Sequence, residues 1–222
     1  KEIDYLLKRL PINLFAIDEA HCVSSWGHDF RPEYTNLSSL KTNFPHIPLI
    51  ALTATANNQT KADIIKQLHL INPEIFIASF DRPNLSIAVK LDVKPKQRTD
   101  EIISFIQKRT QETGIIYCLS RNSCDKLSET LQLNGINAAS YHAGLSADER
   151  QRVQEGFIQD TTQVVCATIA FGMGIDKSNV RYVIHFNVPK SIEGYYQEIG
   201  RAGRDGLASD TLMYFGYSDL KT

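Results

Sequence analysis

The chain has 222 residues, of which 42% are hydrophobic and 22% charged, and its formal net charge at pH 7 is −1. This composition is typical of a globular protein with one large domain or two compact ones, and it excludes a globally basic nucleic-acid binder, so any nucleic-acid contact must come from a local surface. No signal peptide or bilayer-spanning stretch is found, so we expect no membrane association and a cytoplasmic location.

Apolar runs bounded by turn residues alternate along the chain with segments of helical spacing. This alternation is the pattern of an α/β fold with a mainly parallel sheet flanked by helices. Most of the runs are apolar throughout, as expected for strands covered on both faces. The predicted strands are 14–17, 49–52, 75–78, 114–118, 137–141, 163–167, 180–186 and 211–215.

Capping residues mark three of the helices. Asn57 can cap the first, the segment 122–134 ends at Gly135, and Ser146 with Glu149 forms a capping box for the third. The apolar residues that these helices are expected to bury are Ile64, Ile65, Leu68, Leu127, Leu131, Val153 and Phe157.

The periodicity lapses between Phe80 and Pro95, where Arg82 and Pro83 precede an extended segment at 85–91. Such a lapse is typical of a domain junction. We therefore predict an incomplete first domain over 1–82 and a complete second domain over 83–222.

The four cysteines stand far apart or in apolar contexts, without a C-x-x-C pair or a cysteine–histidine spacing typical of zinc. Reduced thiols in or near the core are therefore predicted, with no zinc site. They are Cys22, Cys118, Cys124 and Cys166.

Two adjacent carboxylates, Asp18 and Glu19, follow the first predicted strand. One can hold the Mg²⁺ shell of a nucleotide while the other orients the attacking water. An acidic helix N-terminus is the alternative interpretation. Thr53 and Thr55, after the next strand, can relay the nucleotide state to a neighbouring loop, although helix capping explains them as well.

An aromatic and charged loop at 26–34 follows the carboxylates. Aromatic rings can stack on unpaired bases, and an arginine can meet a phosphate or a ring. The candidate DNA-binding residues are Trp26, His28, Phe30 and Arg31. Alternatively, the single tryptophan anchors the loop in a core.

Further candidates lie at the carboxyl ends of strands in the second domain, the edge at which ligands of open α/β sheets bind. Ser120, Arg121, His142 and Thr168 are placed to meet nucleic acid, and Asp176 can accept a hydrogen bond from ribose. A tight structural turn is the alternative for the glycine-rich stretch that contains Gly174.

Arg201 and Arg204 lie in a stretch with glycines at 200, 203 and 206. Two arginines so spaced can neutralise charge that develops on a transferred phosphoryl group. Surface salt bridges to Glu198 and Asp205 are the alternative.

Taken in order, these blocks resemble the RecQ family of superfamily-two DNA helicases. The blocks that carry the resemblance are 18–22, 26–34, 53–56, 80–84, 170–177 and 197–206. Ser25 stands where the family often has Gln, and Ser178 where Pro is common.

The resemblance implies two RecA-like domains that use ATP and Mg²⁺ to move along single-stranded DNA from 3′ to 5′ and to unwind duplex DNA in recombination and repair. It implies that Asp18 binds the metal, Glu19 is the catalytic acid, and Arg201 and Arg204 are arginine fingers. The nucleotide-binding residues it implies are His21, Gly174, Asp176 and Gln197.

The chain contains no G-x-x-x-x-G-K-[ST] phosphate-binding loop. We therefore expect part of a DNA helicase that is inactive as an ATPase by itself. A truncated nucleic-acid-binding module without ATP turnover is the competing hypothesis, and protein partners are not predicted.

Overall fold

A computed structural model describes residues 2–24, 31–54, 56–79, 81–172 and 175–216. Contacts between Cα atoms divide the chain into two compact units, Lys1–Ser79 and Phe80–Thr222, which are described separately below. None of the helices in the described ranges combines the length and the apolar character that a membrane span requires.

The first unit has a small parallel sheet against which short helices pack. Strand β1 pairs with β2 in parallel, with Phe15 opposite Leu49 and Ile17 opposite Ala51. A core of Ile17, Val23, Ile64 and Leu68 lies against these strands. Its elements are α1 (Glu2–Leu7), β1 (Phe15–Ile17), 3₁₀ helices at Ala20–Val23 and Pro32–Leu37, α2 (Ser38–Asn43), β2 (Leu49–Ala51) and α3 (Asn58–Gln67).

Helix α3 was predicted from its capping residue, Asn57, and the structure confirms it. The side chain of Asn57 accepts a hydrogen bond from the backbone N–H of Thr60 at 2.8 Å, which satisfies one of the unpaired donors of the first turn. Ile64 and Leu68 are buried, and Ile65 is half-buried. This helix therefore presents its apolar face to the core.

The strand predicted at 75–78 is wrong, because residues 73–79 form no regular structure. Ile75, Phe76 and Ile77 are largely exposed, and Phe76 shows 92% of its surface to solvent. A strand needs a partner for its backbone groups, and this apolar run pairs with no described strand.

The second unit is built on a six-stranded sheet in the order β3-β8-β7-β4-β6-β5, and all of its strand pairs are parallel. This arrangement confirms the predicted α/β class. Its elements are β3 (Leu85–Leu91), α4 (Pro95–Gln107), β4 (Thr113–Tyr117), α5 (Arg121–Leu133), β5 (Ala138–Tyr141), α6 (Ala147–Ile158), β6 (Val164–Ala167), β7 (Val180–His185), α7 (Ile192–Ile199) and β8 (Ser209–Phe215).

Strand β3, predicted only as an extended segment, is an edge strand of this sheet. It runs beside β8 in register from Leu85 opposite Ser209 to Leu91 opposite Phe215. An edge strand has a neighbouring strand on one side only, so its side chains are less buried than those of a central strand. Ile87, Val89 and Leu91 are accordingly exposed.

The central strands are buried on both faces, as their apolar sequences predict. One face packs Tyr182 and Ile184 against helices α4 and α5. The opposite face packs Val165 and Val183 against Phe157 of α6 and against α7. All four cysteines are buried, which confirms their predicted place in or near the core.

Caps define the two helices that were predicted in this unit. Ser146 accepts from the backbone N–H of Glu149 at 3.2 Å, and the Glu149 carboxylate accepts from the Ser146 N–H at 2.9 Å, which completes the predicted capping box. The Ser146 hydroxyl, which donates to the Glu149 carboxylate at 2.8 Å, lowers the pKa of Glu149, and the Ser146 N–H adds to this effect. Helix α5 begins after Ser120 and is followed by Gly135 at φ +76°.

Gly114 in β4 lies directly beneath the ring of Tyr182, its neighbour across the β4–β7 pair. A Cβ atom at this position would overlap the ring, which is fully buried and contacts Phe105 edge to face at 5.3 Å. We therefore expect Gly114→Ala to lower the free energy of unfolding by about 1–3 kcal/mol, measured by thermal or urea unfolding. Gly194→Ala in α7 is the control, because a Cβ atom there would come no closer than 3.3 Å to the Ser191 Oγ. Equal stability of the two variants would contradict the prediction.

Candidate functional site

The two carboxylates of the first unit lie immediately after β1. Asp18 is exposed, and its Oδ1 accepts a hydrogen bond from the backbone N–H of Glu19 at 2.8 Å. Glu19 has φ 50° and ψ 40°, a left-handed conformation that is uncommon for residues other than glycine. Non-glycine residues in this conformation are concentrated at functional sites.

A buried histidine connects Glu19 to the end of β2. The Nδ1 atom of His21 lies 3.3 Å from the Glu19 carboxylate and 3.0 Å from the Thr53 hydroxyl. His21 itself is 2% exposed. The structure therefore brings together three of the predicted site residues, and it places Thr53 on the histidine that contacts Glu19.

Of the aromatic loop at 26–34, the structure describes residues 31–34. Trp26, His28, Phe30, Thr55 and Gly174 lie outside the described residues. Arg31 is described, and its backbone N–H donates to the Cys22 carbonyl at 3.0 Å. This bond connects Arg31 to the residue that follows the buried His21.

In the second unit, Arg201 and Arg204 both contact the loop that connects β6 to β7. Arg201 donates to the carbonyl of Gly172 at 2.5 Å, and Arg204 donates to the carbonyl of Ile175 at 3.0 Å. A Cβ atom at Gly172 would come within 2.5 Å of the Arg201 guanidinium, so any larger residue at this position would displace the Arg201 side chain. Both predicted arginine fingers therefore lie against the segment that follows Thr168.

Neither arginine is within ion-pair distance of a carboxylate in the described part of the chain. Glu198 instead pairs with His185 at 2.7 Å, and Asp205 pairs with Arg181 at 2.6 Å, so the surface salt bridges considered as the alternative do not form. Burial and the neighbouring charge of Arg201 lower the pKa of Arg204, and Asp176 opposes this shift from nearby.

The Nε atom of Arg201 is buried and has no hydrogen-bond partner among the described residues. A guanidinium that has no carboxylate partner suits an anionic ligand with several acceptor oxygens. A phosphate group has this chemistry. Gln197, the remaining predicted residue here, is half-buried on α7 one turn before Arg201.

A buried polar cluster behind Arg201 was not found from the sequence. The Tyr117 hydroxyl donates to the Phe171 carbonyl at 2.9 Å, and the Tyr117 ring stacks on His185 at 5.4 Å. Burial raises the pKa of Tyr117. His185 in turn bonds the carboxylate of Glu198, which is 8% exposed. In the sequence, these residues are marked only as polar side chains at or near the ends of otherwise apolar strands and helices.

The predicted DNA-binding residues of this unit lie at the carboxyl edge of the sheet. Ser120 accepts from the Ser123 N–H at 3.1 Å and caps α5, and Arg121 is exposed at the first position of that helix. Thr168 follows β6, and its backbone N–H donates to the Tyr141 carbonyl at 3.2 Å. Helix N-termini and hydroxyl groups at such an edge can bind phosphate oxygens.

His142 is placed differently from these three. It is buried, its Nδ1 accepts from the Gly144 N–H at 3.2 Å, and its Nε2 lies 2.9 Å from Asp125. Because a backbone N–H can only donate, Nδ1 must accept and Nε2 carries the proton. Both ring nitrogens are thus occupied, and the geometry favours a role of His142 in shaping its loop.

No group of three or more potential metal-ligating side chains, from histidine, cysteine, aspartate or glutamate, occurs within the described ranges. The Asp18 carboxylate remains suited to a hydrated Mg²⁺, since it is exposed.

Comparisons with known proteins place this geometry in context. Residues 96–206 match the model of the helicase conserved C-terminal domain. The chain is 49% identical over 215 residues to the ATP-dependent DNA helicase RecQ of Pasteurella multocida, covering 97% of this chain and 34% of that protein. It is 53% identical over 220 residues to the RecQ-like DNA helicase BLM of Xenopus laevis, covering 98% of this chain and 16% of that protein. The chain thus spans about a third or less of the length of these relatives.

Among solved structures, the fold is similar to that of Saccharomyces cerevisiae Dbp5 bound to RNA and ADP BeF3, with a TM-score of 0.74 and 19% sequence identity. The similarity covers 98% of this chain and 58% of that chain. At this identity the likeness concerns the fold alone, and it confirms the predicted RecA-like architecture.

Proposed function

The chain belongs to the RecQ family of helicases, and from this membership we propose that it is part of an ATP-dependent DNA helicase. The complete gene product would move along single-stranded DNA from 3′ to 5′ and unwind duplex DNA in recombination and repair. The observation that carries the proposal is the pair Arg201 and Arg204, which donate to the carbonyls of Gly172 and Ile175 and have no carboxylate partner among the described residues. Such a pair suits a phosphoryl group.

In the first unit, Asp18 would hold the hydration shell of Mg²⁺, and Glu19 would orient the attacking water and accept its proton. Mg²⁺, when bound, neutralises charge on the phosphates. The contact from Glu19 to His21 and on to Thr53 supports a coupling role for Thr53, since a shift of Glu19 would reach the end of β2 through two short contacts.

In the second unit, Arg201 and Arg204 would neutralise charge that develops on the transferred phosphoryl group. To do so they would exchange the carbonyls of Gly172 and Ile175 for phosphate oxygens. This exchange would release the loop that follows Thr168, a candidate DNA contact. ATP turnover and the grip on DNA would thereby be linked.

The proposal is tested with the complete gene product that contains this sequence. We expect oligo(dT) to stimulate ATP hydrolysis more than oligo(U), and we expect strand displacement from a duplex with a 3′ single-stranded tail and not from one with a 5′ tail. The 222-residue chain alone, which lacks a G-x-x-x-x-G-K-[ST] sequence, should hydrolyse no ATP.

Two results would contradict the proposal. A gene product that binds oligo(dT) without hydrolysing ATP would be a nucleic-acid-binding module, which is the competing hypothesis. Displacement from the 5′-tailed duplex would contradict the direction of movement.

A further inference from the structure

The segment at the start of the second unit contacts the turn that carries the two arginines. Arg82 donates through Nη2 to the carbonyl of Ala202 at 3.0 Å and to the carbonyl of Gly203 at 2.9 Å. Asn84 donates through Nδ2 to the carbonyls of Gly203 at 2.9 Å and Leu207 at 3.0 Å. Two side chains from one short segment therefore hold three carbonyls of the turn.

The backbone of the two segments is also joined. The N–H of Ser209 donates to the Asn84 carbonyl at 2.9 Å, at the point where β8 begins beside β3. The Nε atom of Arg82 lies 3.4 Å from the Asn84 side-chain oxygen, so the two holding side chains also support one another.

Gly203 shows how closely the two parts fit. Its φ of +57° lies in the left-handed region that favours glycine. A Cβ atom here would come within 2.5 Å of the Asn84 Nδ2 and within 2.8 Å of both the Leu207 carbonyl and the Ser209 Oγ. The turn can therefore approach Asn84 only because residue 203 has no side chain.

The held carbonyls belong to the residues between the two arginines. Ala202 and Gly203 are the whole of the chain between Arg201 and Arg204, so a shift of these two peptide groups moves both guanidinium groups. We propose that Arg82 and Asn84 are positioning residues that set the geometry of Arg201 and Arg204 for phosphoryl transfer. This inference rests on the proposed function of the two arginines.

Arg82 is suited to this role by shape rather than by charge alone. A guanidinium is planar and presents several fixed donors, whereas an ammonium is a compact point charge on a flexible stem. Arg82→Lys therefore keeps the positive charge near Arg204 while it removes the fixed contact to two adjacent carbonyls. A loss of activity in this variant would therefore come from the altered position of the two arginines and not from a lost positive charge.

The test compares Arg82→Lys and Asn84→Ala with Arg98→Lys in the complete gene product. Arg98 is the matched control, because it is a buried arginine that also holds two carbonyls, those of Val93 at 2.7 Å and Phe186 at 2.8 Å. The measurements are kcat and KM for ATP at saturating oligo(dT), the affinity for oligo(dT) and the thermal unfolding temperature.

We expect each of the two test variants to lower kcat by about tenfold or more, because misplacing a catalytic group by an ångström costs up to about a hundredfold in rate. KM for ATP and the affinity for oligo(dT) should stay within about threefold of the wild type, since ground-state binding is retained. Arg98→Lys should lower the unfolding temperature and leave kcat at the wild-type value.

The inference is overturned if both test variants keep the wild-type kcat, or if Arg98→Lys lowers kcat as much as they do. Should Arg82→Lys fail to fold, Asn84→Ala decides by the same criterion. A failure of the proposed function looks different, because the wild-type protein would then hydrolyse no ATP with oligo(dT), and the positioning role would fall with it.

Discussion

Glu19→Gln in the complete gene product is expected to lower kcat for DNA-stimulated ATP hydrolysis by about 10²–10⁴-fold, the usual contribution of a general base. The affinity for oligo(dT) should be unchanged. The amide keeps the size of the side chain and can still accept a hydrogen bond through its oxygen, but it cannot take a proton from the attacking water.

The geometry at Glu19 makes this substitution a clean test. The backbone there is left-handed, at φ 50°, and the side chain lies 3.3 Å from a buried histidine nitrogen. Glutamine fits the same conformation and can keep a contact to His21, so the link to Thr53 should persist. A loss of turnover would therefore report the missing carboxylate rather than a collapsed site.

Glu74→Gln is the control for this prediction, because Glu74 is an exposed carboxylate in the irregular segment 73–79 of the same unit. It should retain wild-type kcat. Turnover by Glu19→Gln at the wild-type rate would remove Glu19 from the chemistry and leave its strained backbone without a catalytic explanation.

The sequence predicts the sheet of the second unit well, because its central strands are buried on both faces. Such strands appear as continuous apolar runs, and three of them, β4, β6 and β7, lie within one residue of the expected bounds at each end, as does the edge strand β5. Helix α6 was predictable for a local reason as well, since Ser146 and Glu149 are close in sequence and satisfy each other's backbone groups.

The strand predictions at 75–78 and at β3 were wrong or incomplete because strand pairing there depends on residues distant in the chain. The run at 75–78 has strand-forming residues, but periodicity cannot show whether another strand lies beside it, and none of the described strands does. Strand β3 became part of the sheet because β8, more than a hundred residues later, supplies its hydrogen bonds.

The candidate site was predictable in its residue types and not in its contacts. Asp18 and Glu19 were predicted because two adjacent carboxylates follow an apolar strand, and Arg201 and Arg204 because two arginines lie three residues apart in a glycine-rich stretch. The contacts of Arg82 with Ala202 and of Tyr117 with Phe171 join residues far apart in sequence, so no local pattern encodes them. The left-handed backbone of Glu19 is likewise a property of the folded chain.

Arg201→Ala should lower kcat by about 10³–10⁵-fold, the range that arginine fingers contribute to phosphoryl transfer. Arg201→Lys should recover little of this loss, because an ammonium cannot reproduce the planar set of donors. Both variants would be assayed in the complete gene product at saturating ATP and oligo(dT). Arg109→Ala is the control, since Arg109 lies in the same unit but forms its ion pairs with Glu112 and Asp210.

A loss of activity in Arg201→Ala could have a second cause. The variant also removes the contact of Arg201 with the Gly172 carbonyl and so frees the loop between β6 and β7. The two origins differ in what they change. A residue that only braced the loop would alter the affinity for oligo(dT) and the unfolding temperature while sparing kcat at saturating DNA. A finger acts on the transition state, so it lowers kcat and kcat/KM together. Retained kcat with weakened DNA binding would therefore reassign Arg201 to the loop.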